Sequence, residues 1–291
     1  MDGFEILFVG YLGTYTVVPF AGPSFVESGG PAFYCSMTAC RLRKGVALAT
    51  RASDHEAHLV DLLKRSGIHL FVQQGQTPRY RAVFPTANVD ERQVFLEHGA
   101  APFKIDDLPP VEPCIVHLAG WHIREFSLEF MEALKGRGFR VSVDMQAFLY
   151  GADQDRGYVR LVDLPEKKEI LGTADFVKLD GEEAKTLTGT DVLEDQVEIL
   201  EAWGSKETVI THSRGVLARR EGRTSSARFT NKGSKGRMGR GDTVIAAYLI
   251  RRLDHNVEES LSFAAALTSM KLEYPGPFRG SLEEVMAIMG G

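Results

Sequence analysis

The stretch Gly236-Arg-Met-Gly-Arg-Gly-Asp-Thr243, running straight into the apolar segment Val244–Leu253, decides how this chain is read. Gly233, Gly236, Gly239 and Gly241 precede a carboxylate at the point where a helix should begin. A helix start presents unpaired N–H groups and a partial positive charge, and glycines let an anion approach that backbone closely. Phosphate is the expected guest. Gly236 and Gly241 have the separation of a Walker loop, G-x-x-x-x-G-K-[ST], but Asp242 stands where the lysine belongs and Thr243 follows. The cradle is kept while the charge is inverted. An ionised aspartate beside a phosphate has a use if it takes a proton from the hydroxyl that attacks the phosphorus. The plainer reading, with equal weight, is that Asp242 only N-caps its helix.

Composition narrows the class. A chain of 291 residues, 44% hydrophobic and 25% charged, has the makings of one large α/β domain or two ordinary ones. No apolar run approaches the length that spans a bilayer, and the start of the chain lacks a basic secretory n-region, so no membrane partner is expected. Cys35, Cys40 and Cys114 form no CxxC pair and suit a reducing compartment, which points to the cytoplasm. A net charge of −5 argues against broad nucleic-acid binding. The charge is uneven, however. Arg214 to Arg240 holds nine basic residues and one acid, a local +8 that leaves −13 for the rest. Such a cluster is either a solvated hairpin or the neighbour of a polyphosphate.

Strand and helix patterns alternate, as in a layered α/β domain. Expected strands at Glu5–Val9, Val46–Thr50, Ile115–Leu118, Phe139–Val143, Phe176–Leu179 and Thr208–Ile210 are separated by expected helices at Pro31–Leu42, His55–Ser66, Arg124–Arg137 and Glu182–Leu187. Polar residues Asp144, Asp180 and Thr211 fall at strand carboxyl ends, outside which open α/β sheets bind ligands. One segment breaks the alternation. His69–Val72, Tyr80–Val89 and Arg92–Leu96 read as strands without helices between them, a β insertion suited to a lid or a dimerisation sheet.

Together these features resemble the ribokinase-like (PfkB) family of small-molecule kinases along essentially the whole chain. Its D-T-x-G-A-G-D-[ST] signature matches at Gly239, Gly241, Asp242 and Thr243; its N-x-x-E motif corresponds to Asp180-Gly-Glu-Glu183; its Gly-Gly before a helix is Gly29-Gly30. Gly99-Ala100 closes the β insertion, and Phe263–Leu267 followed by Pro275-Gly276 fits the C-terminal helix and turn. The resemblance implies a three-layer α/β/α ribokinase-like fold with a mostly parallel central sheet, in a single kinase domain over 1–291. Residues 69–98, with part of 13–28, would form the small β lid.

It also implies ATP-dependent phosphorylation of an alcohol. Asp242 would be the base, and the amides of Gly239, Arg240 and Gly241 the anion hole. Asp180 and Glu183 would orient Mg²⁺ through waters, and Lys178 and Thr211 would flank the ATP phosphates. Gly29 and Gly30 would line the acceptor site. The sequence departs from the pattern in telling places: Arg240 replaces the signature alanine, Asp180 the asparagine, and the nucleotide turn reads Thr211-His-Ser213. Tyr15 and Tyr34 align with the Asp and Asn that grip sugar hydroxyls, which turns expectation away from a furanose. Val141-Ser-Val-Asp-Met-Gln-Ala147 resembles the V-D-I-Q-A stretch of myo-inositol kinases, so Asp144 and Gln146 are expected on vicinal hydroxyls of a sugar or cyclic polyol. The alternatives are a nucleoside kinase, with the tyrosines stacking on a base, and a ligand-binding pseudokinase. A homodimer through the lid is a further expectation.

Overall fold

β1 (Ile6–Val9) is apolar at every position because both its faces are covered. Ile6 and Phe8 pack into one hydrophobic core, Leu7 and Val9 into a second on the other side of the sheet. The structure, a computed structural model, describes residues 3–88, 91–122, 125–153 and 155–290.

After β1 the chain runs through β2 (Gly13–Val18), β3 (Phe25–Gly29), α1 (Pro31–Ala39), β4 (Val46–Ala52), α2 (Ala57–Arg65) and β5 (His69–Gln74). Next come β6 (Arg79–Val83), β7 (Gln93–His98), β8 (Ile115–Leu118), α3 (Leu128–Gly136), β9 (Arg140–Asp144) and α4 (Gln146–Leu149). β10 (Tyr150–Ala152), β11 (Val159–Leu161), α5 (Lys167–Thr173), β12 (Phe176–Asp180), α6 (Gly181–Thr188) and α7 (Leu193–Ala202) follow. The chain ends with β13 (Glu207–His212), β14 (Gly215–Arg220), β15 (Arg223–Arg228), α8 (Arg240–Arg252), α9 (Val257–Leu272) and α10 (Leu282–Gly290).

The main sheet has nine strands in the order β15-β14-β13-β12-β9-β8-β1-β4-β5. It is parallel from β13 to β5, and β14 and β15 add an antiparallel hairpin at one edge. From β1 the chain winds outward through β4 and β5, then returns to the other side of β1 at β8, so the switch point lies between β1 and β8. Side chains of α1, α8 and α9 fill the core on one face, and those of α3, α5 and α7 the core on the other. This is the three-layer α/β/α arrangement that the resemblance implies.

A separate four-stranded sheet, β3-β2-β6-β7, stands apart from it where the lid is expected. One boundary needs correction. His69–Val72, expected in the lid, is the start of β5 and pairs parallel with β4 at the edge of the main sheet. α2 supplies the crossover between those two strands, which makes them an ordinary βαβ unit. The other two strands of this sheet are β2 and β3, in the 13–28 region expected to contribute and extending to Gly29. The strand expected over Tyr80–Val89 is observed at Arg79–Val83; its expected end, Val89, lies outside the described residues. The helix expected from Arg124, also outside them, is observed from Leu128, where Ser127 caps it by accepting from Phe130 N at 3.2 Å.

Candidate active site

α8 begins where the glycine run ends. Gly239 is its N-cap, in the left-handed region at φ 74°, and no side chain caps the helix. Asp242 therefore lies in the first turn without serving as the cap, which removes the plainer of its two readings. The turn also has no room for larger residues. A Cβ on Gly239 would lie 2.3 Å from the Tyr34 ring, and one on Gly236 would lie 2.2 Å from the Tyr274 carbonyl oxygen. A Cβ on Gly241 would lie 2.9 Å from Lys178 Nζ. The glycines let the backbone lie against an aromatic ring on one side and an ammonium on another. Of the three amides expected in the anion hole, that of Arg240 donates to the Arg237 carbonyl at 3.2 Å.

Asp242 is partly buried, and its carboxyl is pushed up to about 7. Burial is the main cause; Asp144 adds to it, while Lys178 and Lys271 pull the other way. A carboxylate poised near neutrality suits a general base better than an ordinary aspartate does.

Beneath the turn, Lys178 is 4% exposed and Asp144 is fully buried. Lys178 Nζ is 2.9 Å from Asp144 Oδ2 and 3.2 Å from Oδ1. Burial alone would push this lysine down, but Asp144, Glu183, Asp180 and Asp242 together hold it above its ordinary value, so it stays charged. Lys178 is thus placed beside the glycine turn. Asp144 is different: it holds Lys178 and presents no surface to a hydroxyl. Gln146 remains part-exposed at the start of α4, with its amide donating to Asp144 Oδ1 at 3.2 Å. Thr211 is 1% exposed, and its hydroxyl donates to the Leu179 carbonyl at 3.4 Å, so its side chain faces the sheet.

Asp180 and Glu183 form a capping box at the start of α6. Asp180 Oδ1 accepts from Glu183 N at 2.9 Å, and Glu183 Oε2 accepts from Asp180 N at 2.6 Å. Burial, then Asp180, pushes the Glu183 carboxyl well above its ordinary value. The basic cluster also divides. Arg219 pairs with Glu201 and Glu198, and Arg220 with Glu207 and Glu221, so that part is a dressed hairpin. Arg214 and Arg240 both act on His212, which burial and then these two cations push down. This end of the cluster faces the glycine turn.

The side expected to take the acceptor is aromatic. Tyr15 on β2 stacks on Tyr80 of β6, with ring centroids 5.1 Å apart, and Trp121 meets both edge-on at 5.3 and 5.0 Å. The Tyr15 hydroxyl is pushed up to about 12, chiefly by burial, with Asp242 among the charges it feels. Gly30, at φ 122°, is the N-cap of α1, and a Cβ there would lie 2.9 Å from the Tyr11 carbonyl and 3.1 Å from Trp121. Gly29 lies against Tyr34, where a Cβ would come within 3.3 Å. Tyr34 is 6% exposed and lies between Gly29 and Gly239, so it floors the junction of the two half-sites. Sequence reasoning missed three residues of this site. Tyr80 and Trp121 are brought in by the lid and the β8 loop, which no local motif marks. Lys271 was signalled only by being a charge inside a helix that is otherwise apolar nearly all round.

No protein-family model matches the chain, and no curated protein sequence matches it. Solved structures do. A pyrophosphate-dependent kinase in the ribokinase family, complexed with a pyrophosphate analogue and myo-inositol, is 27% identical with TM-score 0.86, covering 97% of this chain and 99% of that one. A pyrophosphate-dependent myo-inositol-1 kinase, converted to a myo-inositol-3 kinase by two substitutions, is 28% identical with TM-score 0.84 over 98% of each chain. These similarities place the chain beside the ribokinase-like kinases, whose fold it has. The fold extends to more distant members: Arabidopsis thaliana ribokinase, complexed with ribose and ATP, has TM-score 0.75 at 18% identity over 100% of both chains. This ribokinase-like kinase is accordingly a phosphotransferase acting on a hydroxyl group. No helix among its described residues is long and apolar enough to cross a membrane.

Proposed function

We propose that this kinase phosphorylates a hydroxyl of a cyclic polyol of the myo-inositol type, with pyrophosphate as donor. The observation that carries the reading is Asp242, in the first turn after the glycine run, pushed up to about 7, and among the charges that act on Tyr15 of the aromatic cluster. The acceptor hydroxyl gives its proton to the Asp242 carboxylate as its oxygen bonds to phosphorus. The bond from phosphorus to the bridging oxygen breaks, and inorganic phosphate leaves. The Gly239 and Gly241 amides, with Lys178 behind them, stabilise the charge on the transferred group. An aromatic wall suits the C–H face of a ring whose hydroxyls point outward around its rim.

Two observations favour pyrophosphate over ATP, the donor first expected. The similar kinases above are pyrophosphate-dependent. In this chain, Arg214 and Arg240 both act on His212, in the Thr211-His212-Ser213 turn that departs from the nucleotide pattern. A small, highly charged donor gains more from guanidinium groups than from a base pocket. ATP remains the second reading, on the family's wider habit. A nucleoside acceptor is less favoured, because Tyr80 already covers one face of the Tyr15 ring.

Mg²⁺ fits Asp180 and Glu183 only in part. Asp180 is part-exposed at the end of β12 and offers a hard oxygen ligand, whereas Glu183 is buried and committed to the capping box. The ion would then take most of its ligands from donor oxygens and water, as Mg²⁺ commonly does, and would neutralise donor charge. The lid edge, where Phe25 is 51% and Val26 65% exposed on β3, is the surface for the homodimer expected from the sequence. The deciding experiment offers pyrophosphate and ATP separately, each with myo-inositol, ribose and a nucleoside, and identifies the product. Transfer from pyrophosphate to inositol is expected; transfer from ATP alone would overturn the donor, and transfer to ribose alone the acceptor.

A further inference from the structure

Lys271 stands out among charged groups outside the expected machinery. It lies in the last turn of α9, a position that suits a lysine on dipole grounds alone. An exposed lysine would serve the dipole equally well, yet this one is 3% exposed. Burying an ammonium is costly unless its protons are matched. Its Nζ donates to the carbonyls of Gly236 and Met238, both in the turn that leads into α8. Two carbonyl oxygens brought together repel each other unless a cation lies between them. The same turn is bound to the end of α9 a third time, by Gly236 N donating to the Leu272 carbonyl at 2.9 Å. Nζ also lies 5.4 Å from the centroid of the Tyr34 ring, the ring against which Gly239 packs.

We infer that Lys271 is the positioning residue of the anion cradle: its ammonium ties the Gly236 and Met238 carbonyls together and so aims the Gly239 and Gly241 amides at the donor phosphate. The inference rests on the cradle reading given above. The groups that face Lys271 are Asp242 from α8, Glu27 from β3, the Tyr34 ring from α1 and the two turn carbonyls. Burial pushes the ammonium down, the two carboxylates oppose this, and it settles at about 8. The tie is therefore present at neutral pH and is lost as pH rises past about 8. A lysine that only complements the dipole would show no such link to the turn.

The test uses the full chain with Lys271→Met and Lys271→Ala. Amide hydrogen exchange across 236–243 should quicken at least about tenfold in both variants while the central strands keep their protection. kcat with pyrophosphate should fall about 100-fold, the scale of a roughly 1 Å misplacement, and methylammonium should restore part of it in Lys271→Ala. The wild-type rate should decline through about pH 8, and that decline should vanish in Lys271→Met. Unchanged exchange in 236–243 with wild-type kcat would overturn the inference, even if the variant melted lower. Should the variants fail to fold, exchange of 236–243 in the wild-type protein between pH 7 and 10, corrected for intrinsic rates, reads the same titration. A flat profile there would overturn it. If the wild-type protein transfers phosphate from no donor, the kinase reading fails, while the exchange measurement still judges Lys271.

Discussion

Lys178 Nζ lies 2.9 Å from Asp144 Oδ2 and, on its other side, 2.9 Å from where a side chain on Gly241 would begin. The ion pair and the glycine turn therefore lie together, and on the proposed function Asp144 acts on the donor through Lys178. This changes what a substitution at Asp144 should do. Asp144→Ala leaves a buried ammonium without its carboxylate, which typically costs about 3–5 kcal/mol. A large drop in thermal stability and in kcat is expected. Melting curves with steady-state kinetics check this; a raised acceptor KM with unchanged stability would restore the direct hydroxyl contact that the sequence suggested.

Asp242→Asn should retain donor binding and lose about 10²–10⁴-fold in kcat, the range for a missing general base. Because Asp242 makes no cap bond, the amide removes no such support from α8. The pH dependence of stability gives a second signature. The Asp242 carboxyl rises from its ordinary value, 3.8, to about 7 in the folded protein, so the folded state holds a proton that the unfolded chain has released between those values. Ionising it at higher pH costs stability. Asp242→Asn should therefore melt progressively higher than the parent as pH rises from about 4 to 7, with the gap constant above. A melting difference independent of pH would refute the shift, and kcat/KM of the parent should rise through the same titration near 7.

Glu183→Gln should be nearly silent in stability, because glutamine also closes a capping box. With the Glu183 carboxyl pushed up by burial, its effect on metal arises only when a cation draws the proton away. The Mg²⁺ activation curve should move to higher concentration by a few fold on the order of a weak outer-sphere contact. An activation curve superimposable on that of the parent would leave Glu183 with the cap alone.

The glycine turn was legible in the sequence because its chemistry is local. Only glycine fits φ 74° at Gly239 against a ring, and the carboxylate lies three residues on in the same helix start. The layered α/β architecture was legible because strand patterns alternate with helix patterns along the chain. What stayed hidden depends on contacts distant in sequence. β5 left the lid because it pairs with β4, a choice that its own residues do not state. The partnership of Lys271 with Gly236 spans 35 residues, and the stacking of Tyr15 on Tyr80 spans a crossover into another strand of the lid. Asp144 was read as a hydroxyl ligand because a strand-end acid looks the same whether it faces a crevice or a buried lysine.

The acceptor wall gives the last prediction. Trp121 is held at both ends: its amide donates to Glu125 Oε2 at 2.7 Å, and its ring packs edge-on against Tyr15 and Tyr80. Tyr80 is fixed in turn by a 2.8 Å hydrogen bond between its hydroxyl and His122 Nδ1, and His122 lies 2.9 Å from Glu125. A wall fixed in this way selects by shape. Trp121→Leu removes part of the ring surface and leaves Asp242 and the cradle intact, so acceptor kcat/KM should fall about 10–100-fold while donor KM stays near the parent value. Ribose should remain a poor acceptor in the parent, because Tyr15 and Tyr34 replace the polar partners that would hold its hydroxyls. Parallel kinetics of the parent and Trp121→Leu with myo-inositol and ribose check both statements. Equal acceptor kcat/KM in the two proteins, or efficient ribose phosphorylation by the parent, would place the acceptor elsewhere than against this wall.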